Sequence, residues 1–393
     1  MRRASLLGAV TAALFLCWAS VAFGSVTPGW ECVPTAVGGA VLSGGTAATP
    51  SCGVGSTAVL APTYVASGVG GQPTVQFSSV NVQVVSGSGS TSAAVNGEGN
   101  LIVGYAENTN SRPQTGSNNL IVGVNNGWTQ YGSIVGGYND NDTGAYSLTA
   151  GASNVAGPYA FAVGHGNVAS GLQSSVSGGQ DNTASASYSS VTGGSGNEAE
   201  AIESLVSGGQ SNVDGSEFGA ILGGCDGLAA PTGSVPTTTC DTNAGADATI
   251  AGGIDNISSG LYSAVGGGST NNASGPWSAI SGGENNVATS QASTVSGGGS
   301  NHATGPEATV GAGENNVASG QYGAVSGGYL NNASGADGAV AGGQSSTAGG
   351  PESAVIGGAG NNVSGSHATI LGGESESLTV MYDSQVGSQV FTP

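Results

Sequence analysis

The sequence predicts an all-β protein, a parallel β-solenoid with 15-residue turns. Three observations predict it. Gly-Gly pairs fall at 178–179, 193–194, 208–209 and 223–224, then from 252–253 to 372–373, at spacings of 15 or its multiples within each run. A β-branched aliphatic stands two residues before each pair, as in Val176, Val191, Val206, Ile221, Ile250, Val265, Ile280 and Val295, and on to Ile370. Third, 75 of 393 residues are Gly and only 7% are charged. That composition opposes helices, and the strict schedule of Val and Ile opposes simple disorder. Fifteen residues cannot hold a helical hairpin. Two short strands and two tight turns fit, and units this small must stack to bury a core.

The elements follow in order. Residues 1–24 read as an export signal: Arg2 and Arg3 precede an apolar stretch, and Ala22-Phe23-Gly24 offers small residues for cleavage before Ser25. An uncleaved membrane anchor is the alternative. Residues 25–73, with Cys32 and Cys52, read as a cap or flexible lead. Residues 74–133 form an entry module of short strands, with Val80–Gly89, Gly99–Tyr105 and Asn119–Gly123 as its apolar cores. Residues 134–377 carry the solenoid, and residues 378–393 a closing strand over its last edge. Sixteen units from Ile134 to Ile370, stacked about 4.8 Å apart, predict a rod roughly 75 Å long. In this alignment Ile134, Leu148 and Val163 extend the inward aliphatic column upstream with small slips.

Within a unit, with the aliphatic as position one, position seven is Asn. This column comprises Asn154, Asn167, Asn182, Asn197, Asn212, Asn256, Asn271, Asn286, Asn301, Asn316, Asn331 and Asn361. Identical amides stacked at one corner read as a structural ladder rather than a ligand site. Position nine is mostly Ala, facing position one across a narrow core, with a Val sometimes at position eight, read as Val287, Val317 and Val363. Thin burial per turn motivates an oligomer.

Cysteine usage suits an exported chain. Removing the leader leaves Cys32, Cys52, Cys225 and Cys240, for which three pairings exist; the local one, Cys32–Cys52 with Cys225–Cys240, is preferred here over zinc binding. Ile221 to Ile250 spans 29 residues, so residues 225–240 read as an inserted, disulfide-closed loop.

The repeats resemble the head repeats of trimeric autotransporter adhesins (YadA-like heads), which combine Ser-x-Val/Ile-x-Gly with Asn and Ala-x-Gly. They also resemble exported bacterial proteins in which a GNLIVG motif precedes such an array, as Gly99–Gly104 does here. The resemblance covers about residues 75–377 and implies a left-handed β-roll, a homotrimer and a cell-surface location. The heptad stalk and C-terminal membrane barrel of those adhesins are not found in this sequence, so a secreted or loosely surface-associated rod is the expectation.

Function is read from what the columns present. The chain has 23 acidic residues and three basic ones, Arg2, Arg3 and Arg112, for a net charge of −20. That argues against nucleic acid and anionic membranes as partners, and the mature chain is expected to have no membrane span. His165, His302 and His367 fall in different turns, and neither a nucleophile triad nor HExxH occurs, so neither enzyme activity, metal nor cofactor is expected. An ice-binding face would need a regular Thr column, whereas position two runs Ser177, Thr192, Ser207, Leu222, Ala251. A polysaccharide-active β-helix enzyme is the other alternative. Position thirteen mixes aromatics and acids; its Tyr188, Phe218, Tyr262, Trp277 and Tyr322 form the candidate stripe for a glycan or protein surface. The expected role is a non-enzymatic, adhesin-like rod. Sequons at Asn141, Asn256, Asn272, Asn332 and Asn362 read as by-products of the repeat.

Overall fold

Strands of two residues dominate the structure, because each repeat offers only one inward aliphatic and one inward Ala before a corner. The computed structural model describes residues 30–34, 56–60, 63–77, 81–224, 242–243, 245–387 and 389–391. The leader 1–24, Cys52, Cys225, Cys240 and the 225–240 insertion lie outside the described residues.

Two units are distinguished, 1–83 and 84–393. In the first, Trp30–Pro34, which contains Cys32, pairs antiparallel with Ser56–Leu60, and Thr63–Val65 pairs antiparallel with Thr74–Gln76. The second is an all-β parallel solenoid of about 18 turns. Among the described residues no helix is long and apolar enough to cross a membrane.

Two main ladders build the solenoid. The first runs from Leu101–Val103 through every position-one strand to Ser384–Val386, each strand parallel to the next. The second runs from Gly127–Trp128 to Ser377–Leu378 through the position-nine strands. A thinner third run of single bridges links position five of successive turns, as in Ser269–Glu284–Gly299–Glu314–Tyr329. Alternation along each two-residue strand sends one side chain inward. Val176, Val295, Ile280 and Ile370 are buried on one side, and Ala184, Ala288, Ala303 and Ala318 on the other. The core is therefore one Val-Ala layer thick, and it runs unbroken from Ala156 to Leu378. Val363 belongs to it as a position-nine residue, whereas Val287 and Val317 stand at position eight, turned outward and only half-buried.

The first turns differ from the expected alignment. Register pairs Ile121 with Val135, Val135 with Thr149, Thr149 with Ala162, and Ala162 with Val176. The inward column upstream is thus Ile121, Val135, Thr149 and Ala162, not Ile134, Leu148 and Val163; Ile134 is 46% exposed. The reason is turn length. These turns have 13 or 14 residues, as the spacings 121–135, 135–149 and 149–162 show. One residue fewer separates the inward position from the position-five bridge, so Ile134–Tyr138 runs as one five-residue strand. From Val176 onward the extra residue enters as a bulge between positions one and five, and the strand shortens to two residues. Sliding by one residue reverses which side chains face inward.

Downstream of the break, Ala220 pairs with Thr249 and Ile221 with Ile250, so the ladder resumes in register across the insertion. At the C-terminal end, Gln389–Phe391 folds back antiparallel on Ser384–Val386 and blocks that edge.

Candidate functional site: the corner stripe

Besides the second Gly of each pair at position four, two columns of left-handed backbone run along the solenoid, one at each sharp corner. At the first, position six, Asn139, Gly166, Asp181, Gly196, Asp255, Asn285 and Asn315 suit the conformation, while Ser153, Ser211, Thr270, Ser300, Leu330 and Ser345 adopt it too. The second, position thirteen, is the third residue of a four-residue turn. Ser278 N–H, for example, donates to the Gly275 carbonyl at 3.0 Å around Pro276-Trp277. Such a turn calls for Gly or Asn in the third place. Here the sixteen residues from Tyr146 to Tyr382 have φ between 53° and 64°, and none is Gly or Asn. They include Tyr146, Tyr159, Tyr188, Phe218, Tyr262, Trp277, Tyr322 and Tyr382 alongside Glu203, Asp247, Glu307, Asp337 and Glu352. A side chain in this conformation costs about 1 kcal/mol or more per residue relative to Gly. The column therefore holds bulky and charged groups where backbone conformation favours their absence.

The candidate stripe residues Tyr188, Phe218, Tyr262, Trp277 and Tyr322 all lie in this one column, each close to half exposed. Tyr262 and Trp277, one turn apart, stack with centroids 5.9 Å apart and planes 18° apart. Glu203 separates Tyr188 from Phe218, and Tyr322 stands between Glu307 and Asp337. The column extends beyond those five. Tyr146 and Tyr159 stack at 5.5 Å, Tyr131 meets Tyr146 edge-on at 5.3 Å, and His367 stacks on Tyr382 at 4.7 Å. The signal for the missed residues is a Gly-x-aromatic triplet, present in Gly144-Ala145-Tyr146 and Gly157-Pro158-Tyr159 as in Gly275-Pro276-Trp277.

The Asn column is buried inside the first corner. Asn301 is representative. Its Nδ2 donates to the Gly297 carbonyl (2.9 Å) and to the Gly313 carbonyl of the next turn (2.8 Å). Its Oδ1 accepts the Asn316 backbone N–H at 3.0 Å. Asn182, Asn197, Asn271, Asn286, Asn316 and Asn331 repeat this pattern of two carbonyls and one amide. Asn154, Asn167, Asn212, Asn256 and Asn361 occupy the same column, each with a side-chain bond to the carbonyl four residues before it. Every one of these side chains except that of Asn212 donates to two backbone carbonyls, and Asn212 donates to one carbonyl and to Asn197 Oδ1, which leaves no donor for a ligand.

Three members of the buried columns are acids: Asp140, Asp142 and Asp214, the last of which pairs with Ala199 in the position-nine column. Asp140 stands in the Asn column: its Oδ1 accepts the Asn154 N–H (2.8 Å) and Nδ2 (3.0 Å), while its buried Oδ2 has no hydrogen-bond partner. Burial pushes its pKa up, against the lowering effects of the Asn154 bonds and Arg112. Asp142 replaces Ala in the position-nine column. Burial pushes it up to about 6, although Ser147 Oγ and the Gly144 N–H donate to it. On the surface, burial and then neighbouring Glu200 raise Glu198. The three His residues sit in separate turns, and among the described residues no three His, Cys, Asp or Glu side chains converge as metal ligands.

No family model matches the chain, and no curated protein matches it. The likeness to adhesin heads thus rests on the repeat pattern, whereas the parallel solenoid rests on the register of its ladders.

Proposed function

We propose that the chain is an exported, non-enzymatic rod that presents its position-thirteen corner stripe to a glycan surface. One observation carries this reading: thirteen of the sixteen residues in the stripe are aromatic or acidic, held in a backbone conformation that favours Gly or Asn. Stacked, half-exposed rings such as Tyr262 and Trp277 present flat apolar faces of the kind that pack on sugar rings. A stiff stack holds many such faces in line, so weak contacts add through multivalency. In this reading the leader 1–24 directs export, and the rod is a left-handed trimer at the cell surface. A folded monomer in sedimentation at low concentration removes the trimer but not the stripe.

The test is a triple variant, Tyr262, Trp277 and Tyr322 each →Ser, assayed on glycan arrays and on cells beside the parent chain. Loss of binding with an unchanged circular dichroism spectrum supports the reading; undiminished binding overturns it.

A further inference from the structure

We infer that the stripe's glycan carries positive charge, and that the gap above Ala292, between the Trp277 ring and the Glu307 carboxylate, takes one ammonium group of an amine-bearing hexosamine polymer. This rests on the glycan reading above and names its ligand class.

Order along the column sets the geometry of the gap. Tyr262, Trp277, Ala292 and Glu307 occupy successive turns at the same left-handed corner. Tyr262 covers one face of Trp277 by stacking. On the other side the next residue in the column is only Ala292, and Glu307 follows one turn later. Trp277 and Glu307 are therefore about 10 Å apart along the axis, two strand spacings, with a methyl group between them. That leaves room for a single layer between an aromatic face and a carboxylate.

The same column shows what such a layer holds. Near the C-terminal end, Glu352, His367 and Tyr382 occupy three successive turns. His367 stacks on Tyr382 at 4.7 Å, and its Nε2 lies 3.1 Å from Glu352. A basic group thus sits between a carboxylate and an aromatic face. Trp277–Ala292–Glu307 has the same two walls in reverse order, and lacks the basic group in the middle.

Charge selects the occupant. No Lys or Arg follows Arg112 in the sequence, so no basic side chain other than His exists in residues 113–393 to pair with Glu307. The chain's net charge of −20 repels sulfated and uronic polymers and steers cationic ones toward it. A cation is attracted to the face of Trp and to the carboxylate at once. A neutral sugar would stack on the ring and donate a hydroxyl to the acid, without the charge attraction that an ammonium adds to both walls. The next aromatic along the column, Tyr322, again stands between acids, Glu307 and Asp337, which suits a polymer with repeated amines.

The test titrates the full-length mature chain with a deacetylated glucosamine oligomer and with its N-acetylated counterpart, at low and high salt, with oligo-lysine as a third probe. The amine oligomer is expected to bind about tenfold or more tighter than the acetylated one at low salt, with the gap closing at high salt. Glu307→Gln should reduce that preference, and so should Ala292→His, which places a basic ring in the gap as His367 does. Equal binding of the two oligomers, or an unchanged preference in Glu307→Gln, overturns the inference and leaves the glycan reading standing. Binding of oligo-lysine alone overturns it in favour of a basic peptide. Binding of none of the three probes overturns it, and the glycan array then decides the broader reading.

Discussion

Replacing Asn301 with Ala removes one rung of the buried amide column, and the structure sets the cost. The mutation takes the Asn301 Nδ2 from the Gly297 and Gly313 carbonyls and its Oδ1 from the Asn316 N–H. The Gly313 carbonyl keeps the Gly299 N–H at 2.9 Å. One buried group, the Asn316 N–H, and one part-buried group, the Gly297 carbonyl, lose these partners. At about 1–3 kcal/mol for the buried amide and about 0.5–1.5 kcal/mol for the bond to the part-buried carbonyl, the expected loss is about 2–4 kcal/mol. Because each turn contacts only its neighbours, the damage should be local: native-state hydrogen exchange should speed up at the Asn316 amide and the turns beside it, and much less near Val176. The chain contains the converse case. Ser346 occupies this column, its Oγ reaching the Asn361 N–H only at 3.4 Å and bonding neither of the two carbonyls an Asn would bridge. Ser346→Asn should therefore stabilise by about 1–2 kcal/mol, on the scale of one or two net hydrogen bonds. Urea unfolding checks both signs. A loss below about 1 kcal/mol for Asn301→Ala, or destabilisation by Ser346→Asn, would refute the account of the column as the stack's main polar adhesive.

Three further outcomes are expected. The paired glycines should not be equivalent: Gly297 has open space where a Cβ would go, whereas Gly298 has φ +87° and its Cβ would be driven into the Gly313 carbonyl oxygen. Gly297→Ala should be near neutral, as the natural Ala312 at the equivalent position suggests, and Gly298→Ala should cost about 3 kcal/mol or more in a thermal or urea melt. Asp142, pushed up to about 6 by burial, favours the fold in its neutral form. Its stabilisation is complete below the ordinary carboxylate pKa near 4 and is lost as pH rises through about 6, a difference of about 3 kcal/mol. Protection factors over residues 134–149, with the intrinsic pH dependence of amide exchange divided out, should therefore be higher at pH 4 than at pH 7.5, with the contrast much reduced in Asp142→Asn; the opposite trend refutes it. Asp140→Asn puts a donor where Oδ2 has no partner, and should raise stability at pH 7 by about 1–3 kcal/mol, whereas a loss there would show that the acid is already satisfied.

Most of the fold was legible because a solenoid is a one-dimensional object. A residue's neighbours in space are those one period away, so spacing in the sequence maps directly to packing. Val295 and Ala303 could be placed on opposite walls of the core, and Asn301 and Asn316 on one corner, from the count of fifteen. The first turns were harder to read. Ile134, Leu148 and Val163 are the larger aliphatics, yet the inward sites go to Val135, Thr149 and Ala162. With 13 or 14 residues per turn the period slips, and only the hydrogen-bonded register says which member of an alternating strand faces inward.

The stripe divides in the same way. The sequence by itself determined the all-β class, the repeat length, the Asn column and the alignment of Tyr188, Phe218, Tyr262, Trp277 and Tyr322. It also determined the acidic balance, with no Lys and no Arg beyond Arg112. Tertiary structure decided that these residues sit at a left-handed corner, that Tyr262 and Trp277 stack, and that His367 bridges Glu352 and Tyr382. Periodicity fixes which residues share a column. The dihedral angle at the corner and the direction each side chain leans depend on the turn above and the turn below, and those exist only once the chain has stacked.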